Sequence, residues 1–502
     1  MPGIPAPPPT SETIRTWALA DAQFAALLAT GIPVAQALQR WGTGLVAADR
    51  VPEAVEALRA SVALSPNAPA AWTNLGVALD RANCLGEAAA SLERSVALWR
   101  GQPDTWLLLG LVRKKRGDAA GAEAAYSVAL QQQPDSALVW QCLGLLKEEQ
   151  RDYSGAIECF TTCVAKGRGD AAMSANLGRL HYQTGRISEA RASYAAACEA
   201  DAANGHYRAM LHRTQFLCDM LDGRSIDEAV LALRLSEGQA EADEPLVQFL
   251  QGASWFLASF RHVDAASRLA RKLVEICPDS ASARYLFDSL SGNSGLDRSP
   301  PDYIVESFDA FAEVFDAKLV GVLGYDVPEK LAALVREAAP GDRLYDVVDA
   351  GCGTGLCGPL VRSLARRLTG IDLSSKMLDQ AYKRGLYDAL VCEDLVAALD
   401  RLAGQFDLAV AADVLIYFGD LGPLFAAIAA AVRPGGLFAF SVETLPEQGA
   451  YRLLASGRFA HTPAYVRSKM GRFFVEVART ETTIRQDATE RVPGDLFLFR
   501  RR

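Results

Sequence analysis

Residues 347–358 read VVDAGCGTGLCG, in which four glycines fall within eight residues behind an acidic residue, Asp349. Glycine has no side chain, so a glycine-rich loop turns tightly and brings backbone N–H groups against a ligand. A helix that follows such a loop adds the attraction of its positive N-terminal end. The apolar run around Asp349 is typical of a buried strand. The segment therefore predicts a ligand-binding loop between a strand and a helix.

Two ligand classes compete for this loop. Residues 353–358 satisfy the dinucleotide pattern G-x-G-x-x-G, which alone is a weak signal. The glycines begin earlier, however, and Asp349 stands two residues before Gly351. A carboxylate at this point serves a pyrophosphate poorly but suits a cofactor that carries a cationic sulfonium and an amino group. The D-x-G-x-G-x-G form, from Asp349 to Gly355, resembles the first motif of class I S-adenosylmethionine-dependent methyltransferases.

The following stretches of the chain resemble the same family in order. Asp372 ends a predicted strand, where an acid is placed to accept hydrogen bonds from both ribose hydroxyls of the cofactor. An acid there also suits NAD, so Asp372 indicates a ribose rather than a reaction. Met377 is a candidate to pack on the adenine, and Asp394 is our choice to read the adenine amino group. The resemblance implies cofactor contacts from Asp349, Gly351, Cys352, Gly353, Gly355, Asp372, Leu373, Met377, Glu393, Asp394, Leu395 and Asp413.

The acceptor side of the site is predicted from segments that overhang the cofactor. Amino-methylating DNA enzymes carry an N-P-P-Y type motif after the fourth strand, whereas residues 412–417 read ADVLIY and resemble small-molecule and protein methyltransferases. Tyr417 and His461 are the candidate catalytic residues. His461 is the only histidine after residue 303 and is a candidate general base, with a packing role as the alternative. No metal site is predicted.

Alternating helix and strand patterns position these residues. We predict a helix at 303–337, followed by a parallel sheet with helices on both faces, which binds ligands at the carboxyl ends of its strands. The fold class is an α/β, Rossmann-like, seven-stranded methyltransferase domain, closed by two antiparallel strands. The predicted strands are 344–350, 368–373, 389–393, 406–412 and 437–442, with helices after Gly355, at 375–384 and at 421–432.

The first half of the chain repeats itself every 34 residues. The pattern W-x-x-L-G occurs at Trp72, Trp106 and Trp140, and small and large residues keep the same phase in the second half of each unit. This resembles the tetratricopeptide repeat, in which small residues let two antiparallel helices approach and large ones fill the gap between them. The resemblance implies an all-α solenoid with a concave groove that holds a peptide or protein segment. The candidate groove residues are Asn74, Lys114, Lys115 and Asn176, with solvated helix faces as the alternative.

These patterns divide the chain into five parts. We predict a flexible proline-rich tail and first helix at 1–34, five tetratricopeptide repeats at 35–204, divergent helical repeats and a cap at 205–290, a linker at 291–302 and the methyltransferase domain at 303–502. The linker is predicted because SGNSGLDRSPPD combines glycine, serine and proline with little apolar content. The layout resembles predicted bacterial methyltransferases that carry tetratricopeptide repeats ahead of the catalytic domain.

Composition limits the function further. The 502 residues carry a net charge of −9, which argues against a nucleic-acid partner, and no apolar run approaches the ~18 residues of a membrane-spanning helix. Ten cysteines without a C-x-x-C pair favour a cytoplasmic protein. We predict an S-adenosylmethionine-dependent methyltransferase whose groove recruits a protein or peptide acceptor or partner, with the oligomeric state left open. The alternatives are a small-molecule methyltransferase that uses its repeats for localisation or oligomerisation, and a repeat scaffold with a non-catalytic, cofactor-sensing domain.

Overall fold

The computed structural model of the chain describes residues 7–167, 169–237, 243–292, 295–313, 315–316, 325–339, 344–446, 449–486 and 491–502. The chain forms two compact units, Met1–Thr214 and Gln215–Arg502. None of the helices in the described ranges combines the length and the apolar character that crossing a bilayer requires.

The first unit consists of short helices joined by tight turns. From α3 onwards, consecutive helices pack as pairs, as the 34-residue period predicts. The helices are α1 (Ser11–Ala20), α2 (Ala22–Ala29), α3 (Val34–Ala47), α4 (Val51–Leu64), α5 (Pro69–Arg81), α6 (Leu85–Leu98), α7 (Pro103–Lys115), α8 (Ala119–Gln132), α9 (Ala137–Glu149), α10 (Tyr153–Ala165), α11 (Ala171–Gln183), α12 (Ile187–Ala200) and α13 (Gly205–Leu221), which continues into the second unit.

One contact recurs in each of the five helix pairs from α3 to α12. A Cβ atom added to Gly110 would lie only 2.3 Å from the ring of Tyr126, and one added to Gly144 would lie 2.5 Å from the ring of Phe160. A side chain in place of the glycine would therefore push the two helices of the pair apart. This close approach is the physical reason for the repeating glycine. The other pairs are Gly42 with Leu58, Gly76 with Leu92 and Gly178 with Tyr194.

The tryptophans of the W-x-x-L-G pattern fix the turn that precedes their own helix pair. The indole Nε1 of Trp72 donates a hydrogen bond to the carbonyl oxygen of Pro66, at 2.8 Å. Trp140 donates in the same way to Pro134, at 2.9 Å, and both carbonyls stand six residues before their tryptophan. The tryptophan thus contributes both a packed ring and a capped turn, which explains why its phase is so regular.

Several of the predicted groove residues already have partners within the repeats. Lys114 forms an ion pair with Glu149 and Lys115 forms one with Asp80, each at 2.7 Å. Asn74 donates a hydrogen bond to Thr43 Oγ1, at 3.0 Å. These contacts cross from one repeat to the next. A peptide that uses the two lysines therefore has to compete with existing ion pairs.

The second unit combines the remaining helices with a mixed sheet. The helices are α14 (Ile226–Glu237), α15 (Asp243–Ser259), α16 (Val263–Ile276), α17 (Ala281–Ser291), α18 (Pro301–Phe311), α19 (Val327–Ala338), α20 (Gly358–Val361), α21 (Ser375–Lys383), α22 (Leu395–Arg401), α23 (Gly422–Ala431) and α24 (Pro463–Met470). The strands are β1 (Tyr345–Ala350), β2 (Ala365–Asp372), β3 (Ala389–Cys392), β4 (Phe406–Ala411), β5 (Val432–Thr444), β6 (Tyr451–Leu453), β7 (Phe459–His461), β8 (Phe474–Gln486) and β9 (Arg491–Arg501).

The sheet has the predicted parallel core. Strands β3, β2, β1, β4 and β5 lie side by side in this order, all parallel, so their carboxyl ends share one edge. Strand β9 pairs antiparallel with β5 and with β8. Beyond the seven predicted strands, a short hairpin of β6 and β7 continues from the end of β5, so the described residues form a nine-stranded sheet.

Both faces of the sheet are covered by helices. Along β5, Phe438 and Phe440 pack into one hydrophobic layer, while Leu437 and Ala439 pack into the other. A strand that is buried on both faces reads as a continuous apolar run, which matches the sequence LFAF at this point.

The start of the second unit differs from the sequence prediction in two respects. The predicted helix at 303–337 is wrong, because α18 ends at Phe311 and α19 begins only at Val327. Pro328 stands in the first turn of α19, where proline is favoured because its missing N–H has no helical partner to lose. The segment predicted as a linker, 291–302, lies inside the second unit rather than between the two units.

Residues 295–300 of that segment form a strap across the second unit. The backbone N–H of Ser299 donates to the carbonyl oxygen of Tyr417, at 2.8 Å. On the other side, the hydroxyl of Tyr285 in α17 lies 2.7 Å from Ser299 Oγ and donates to the carbonyl oxygen of Gly457, at 2.8 Å. The strap therefore connects α17, which precedes the sheet, to the segment after β4. Tyr285 of α17 also contacts the loop between β6 and β7.

Candidate active site

The glycine-rich loop follows β1 at its carboxyl end, and its conformation requires glycine at three positions. Gly351, Gly353 and Gly355 all have positive φ angles, of 73°, 53° and 85°. A Cβ atom on Gly351 would lie 2.4 Å from Val414, and one on Gly355 would lie 2.9 Å from the ring of Tyr387. A Cβ atom on Gly353 would meet no atom within 4 Å. The loop is therefore packed from below at Gly351 and Gly355 and left open at Gly353.

Asp372, at the end of β2, is fixed against this loop. Its Oδ2 accepts the N–H of Gly353 at 2.8 Å, and its Oδ1 accepts the N–H of Ser374 at 2.9 Å. Burial raises the pKa of Asp372, and these backbone hydrogen bonds oppose the shift by favouring the ionised form. The carboxylate is held rigidly beside the open glycine, with lone pairs remaining for a ligand.

Asp349 supports the loop from beneath. The side chain is 1% exposed, and its Oδ2 accepts the hydroxyl of Tyr387 at 2.6 Å. Burial raises the pKa of Asp349 to about 7, although the hydrogen bond from Tyr387 acts in the opposite direction. The same tyrosine ring packs against Gly355. Asp349 thus anchors the residue that shapes the loop.

Asp394 and Glu393 follow β3 and have different surroundings. Asp394 Oδ1 accepts the N–H of Val396 at the start of α22, and its Oδ2 pairs with Arg298 of the strap at 2.6 Å. Burial opposes ionisation of Asp394, but Arg298 and the helix N–H groups hold its pKa below the usual value. Glu393 instead pairs with Arg401 and does not line the cavity. Of the two acids, only Asp394 faces the cavity.

Aromatic side chains form the opposite wall. The ring of Phe308 in α18 lies 5.6 Å from the ring of Tyr417 and 5.9 Å from that of Phe315, both edge to face. Burial raises the pKa of Tyr417 to about 12, so its hydroxyl stays protonated at neutral pH. These rings enclose an apolar space next to the glycine-rich loop.

Asp413, which follows β4, belongs to a buried group of charges. Arg485 in β8 is 1% exposed and contacts both Glu443 Oε1 and, at 3.4 Å, Asp413 Oδ2. Burial raises the pKa of Glu443, and the neighbouring guanidinium lowers it. Asp413 also has a positive φ of 59°, which is strained for a residue with a side chain. The backbone N–H of Asp413 donates to Ser441 Oγ at 2.8 Å, which stabilises this conformation.

The structure does not support the predicted base role of His461. Its side chain is fully buried in β7, and Nε2 lies 2.8 Å from the carbonyl oxygen of Phe418 and 3.2 Å from that of Gly419. Burial lowers the pKa of His461 to about 4, and the ring does not line the cavity. These contacts give His461 a packing role, which was the alternative reading.

One cavity collects most of the predicted site residues. Gly355, Glu393 and His461 are the predicted residues that do not line it. Sequence reasoning missed Arg298, Ser299 and Tyr325, which also line the cavity and come from segments with no recognisable motif. The predicted residues that line it are Asp349, Gly351, Cys352, Gly353, Asp372, Leu373, Met377, Asp394, Leu395, Asp413 and Tyr417.

Comparisons with known proteins agree with this geometry. A family model described as a methyltransferase domain matches residues 347–436, and one described as a tetratricopeptide repeat matches residues 40–103, 85–137 and 143–205. The chain is 33% identical over 99 residues to the ubiquinone biosynthesis O-methyltransferase of Bordetella avium, which is 19% of this chain and 41% of that protein. It is 36% identical over 108 residues to the malonyl-[acyl-carrier protein] O-methyltransferase of Pseudescherichia vulneris, which is 21% of this chain and 43% of that protein.

The chain thus spans less than half the length of these two curated relatives. Among solved structures, an S-adenosylmethionine-dependent methyltransferase from Mesorhizobium loti is 26% identical, with 34% of this chain and 96% of that chain covered and a TM-score of 0.27. The MamA protein is 18% identical, with 35% of this chain and 95% of that chain covered and a TM-score of 0.32.

The second unit therefore contains a methyltransferase domain of the class I, S-adenosylmethionine-dependent type. The first unit contains tetratricopeptide repeats, so the chain joins the two modules that its sequence motifs indicate.

Proposed function

We propose that this protein binds S-adenosylmethionine in the cavity of the second unit and transfers its methyl group to an acceptor. The observation that carries the proposal is the pairing of Asp372 with the open backbone at Gly353, 2.8 Å apart. A rigid acid beside a glycine with free space above it suits a ribose whose two hydroxyls donate to the carboxylate. This arrangement fits the nucleoside of the cofactor.

The remaining residues suit the other parts of the cofactor. Met377 and Leu395 offer apolar contacts to the adenine, and Asp394 retains lone pairs for the adenine amino group. When bound, S-adenosylmethionine supplies a methyl group on a positively charged sulfur. The protein positions the acceptor in line with this group and excludes water, and the aromatic wall of Phe308 and Tyr417 suits both tasks.

We propose further that the repeats recruit a protein or peptide, which is the acceptor itself or a partner. The five packed helix pairs present a larger surface than methyl transfer to a small molecule requires. The alternative is a small-molecule acceptor, with repeats that serve localisation or oligomerisation. The ion pairs of Lys114 and Lys115 favour a partner that binds mainly through other groove residues. The ten cysteines, none of which forms a C-x-x-C pair, support a cytoplasmic location.

The experiment has two stages with the full chain. Isothermal titration with S-adenosylmethionine and with S-adenosylhomocysteine tests cofactor binding, with Asp372→Ala as the weakened control. Transfer from methyl-labelled cofactor into a cell extract, separated into macromolecular and small-molecule fractions, then tests the reaction and the acceptor class. Binding without transfer would favour the cofactor-sensing alternative, and absence of binding would refute the proposal.

A further inference from the structure

Asp413 occupies a distinct place along the ligand-binding edge of the sheet. Acids stand at or near the carboxyl ends of all five parallel strands, in the spatial order Asp394, Asp372, Asp349, Asp413 and Glu443. The first two are the nucleoside-binding acids of the proposed function, and the third lies under the glycine-rich loop. Asp413 is the next acid beyond that loop, on the side away from the nucleoside. Its position therefore corresponds to the methyl and acceptor side of the cavity.

One oxygen of Asp413 is the feature that calls for a ligand. Within the described ranges, Asp413 Oδ1 is a buried carboxylate oxygen without a hydrogen-bond partner, and the residue lines the cavity. A buried polar atom that lacks a partner is destabilising, and more so if it is charged. The positive φ of 59° adds backbone strain at the same residue. The fold thus maintains an unfavourable arrangement at one point of the cavity wall.

Arg485 explains how the carboxylate keeps its direction. The guanidinium contacts Oδ2 of Asp413 and Oε1 of Glu443, so one positive charge serves two carboxylates. Oδ2 is thereby directed towards β8, whereas Oδ1 has no partner in a residue that lines the cavity. The unpartnered oxygen of Asp413 can accept a hydrogen bond from a donor.

We propose that Asp413 is a catalytic residue whose Oδ1 accepts the hydrogen bond, and then the proton, of an O–H or N–H nucleophile carried on an apolar body. Arg485 is the positioning residue for Asp413. This inference rests on the proposed methyl transfer. The nucleophile forms a bond to the methyl carbon, the carbon–sulfur bond breaks with its electron pair retained by sulfur, and the proton of the nucleophile passes to Asp413.

The apolar body is inferred from the other walls of the cavity. Phe308 packs edge to face against both Phe315 and Tyr417, and Tyr325, 6% exposed, lines the same cavity. These rings leave apolar surface for the acceptor beside the carboxylate of Asp413. A carboxylate nucleophile has no proton to give at neutral pH, so it would not use Asp413 in this way.

The test uses full-chain Asp413→Asn, Arg485→Lys and the double variant, with Glu481→Gln as the matched control on the exposed side of β8. We expect Asp413→Asn to bind S-adenosylmethionine within about twofold of the wild type and to lower label transfer into cell extract by about 10²–10⁴-fold. Arg485→Lys should give an intermediate rate. The double variant should be no slower than Asp413→Asn, because Arg485 acts through Asp413. The transferred label should resist mild base, as methyl ethers and amines do.

Three results would overturn the inference alone, given a wild type that binds the cofactor and transfers label. These are wild-type transfer by Asp413→Asn, a more than tenfold loss of cofactor affinity in that variant, and base-labile label typical of a methyl ester. If the wild type itself transfers no label, the proposed function fails and the inference fails with it. Circular dichroism of each variant separates these outcomes from unfolding.

Discussion

In the first unit, Gly110 meets a side chain only 16 residues later, on the next helix, whereas in the second unit Tyr285 meets the carbonyl of Gly457, 172 residues further along the chain. The first kind of contact recurs with the period of the repeat. The second kind follows no period and connects a helix before the sheet to a loop beside the cavity. A change in a repeat should therefore remain local, while a change at Tyr285 should reach the active site.

The largest expected effect comes from the glycine-rich loop. Gly353→Val should abolish S-adenosylmethionine binding, because the new side chain fills the open space above the loop at a residue with positive φ. Gly435→Val is the matched control, since Gly435 also has a positive φ and no neighbour within 4 Å but does not line the cavity. Calorimetric titration of both variants with S-adenosylmethionine measures the effect. A folded Gly353→Val protein that binds normally would contradict the placement of the cofactor.

The same substitution in a repeat should affect stability instead of binding. Gly110→Val places a side chain against the ring of Tyr126 and should lower the free energy of unfolding of the first unit by about 3 kcal/mol. Gly86→Val, in an exposed helix position without neighbours within 4 Å, is the control. Thermal unfolding and cofactor titration are the measurements. Loss of cofactor affinity in Gly110→Val would show that a change in a repeat does not remain local.

The two nucleoside acids should differ in strength. Asp372→Ala removes an ionised acceptor from two ribose hydroxyls, and each charge-assisted hydrogen bond contributes about 1.5–3 kcal/mol. Asp394→Ala should weaken binding less, because part of that carboxylate already serves Arg298 and α22. Calorimetric titration of both variants gives the comparison. Equal affinities of the two variants for S-adenosylmethionine would show that the ribose hydroxyls do not bind Asp372.

Tyr285→Phe tests the long-range contact directly. The loss of its hydroxyl leaves the carbonyl of Gly457 and Ser299 Oγ without this partner, at a cost of about 1–2 kcal/mol. Hydrogen exchange should become faster in the strap and around Gly457. Tyr126→Phe is the control in the first unit, because the Tyr126 hydroxyl is buried without a hydrogen-bond partner in the part of the chain that the structure describes. Unchanged exchange in Tyr285→Phe would show that the strap does not depend on α17.

The smallest effect on turnover is expected for His461→Gln, because the ring lies outside the cavity. Its effect should appear in the pH dependence of stability. The folded-state pKa of about 4 is below the ordinary 6.5, so the unfolded chain binds the proton more readily. The wild type should therefore lose stability as the pH falls from 6.5 to 4, and His461→Gln should lack this contribution. A large loss of turnover at neutral pH would restore the base role.

Sequence reasoning predicted the parts of the site that depend on local pattern. Asp372 and Asp394 end parallel strands, and the carboxyl ends of such strands share one edge, so their convergence follows from strand order. Arg485 could not be predicted in this way. The pairing register of β8 shifts between Thr483 and Arg485, so that both Ile484 and Arg485 are buried, against the alternation of a regular strand.

Arg298 was missed for a related reason. Glycine, serine and proline around it indicated a linker, but hydrogen bonds from distant residues hold the strap in place. His461 was selected because histidine suits proton transfer, whereas its surroundings, which local pattern does not reveal, keep the ring neutral and buried. In both cases long-range packing decided the role of the residue.

The strap also determines which segment of the chain could be fused to another protein as a working catalytic module. A gene fusion that began at residue 303 would leave behind Arg298 and Ser299, two residues of the cavity wall, together with Tyr285, which holds Ser299. An exchange that begins at Gln215 keeps all of them. Recombination between related genes would therefore preserve function more often at a junction ahead of α17 than at the glycine-rich segment that looks like a natural boundary.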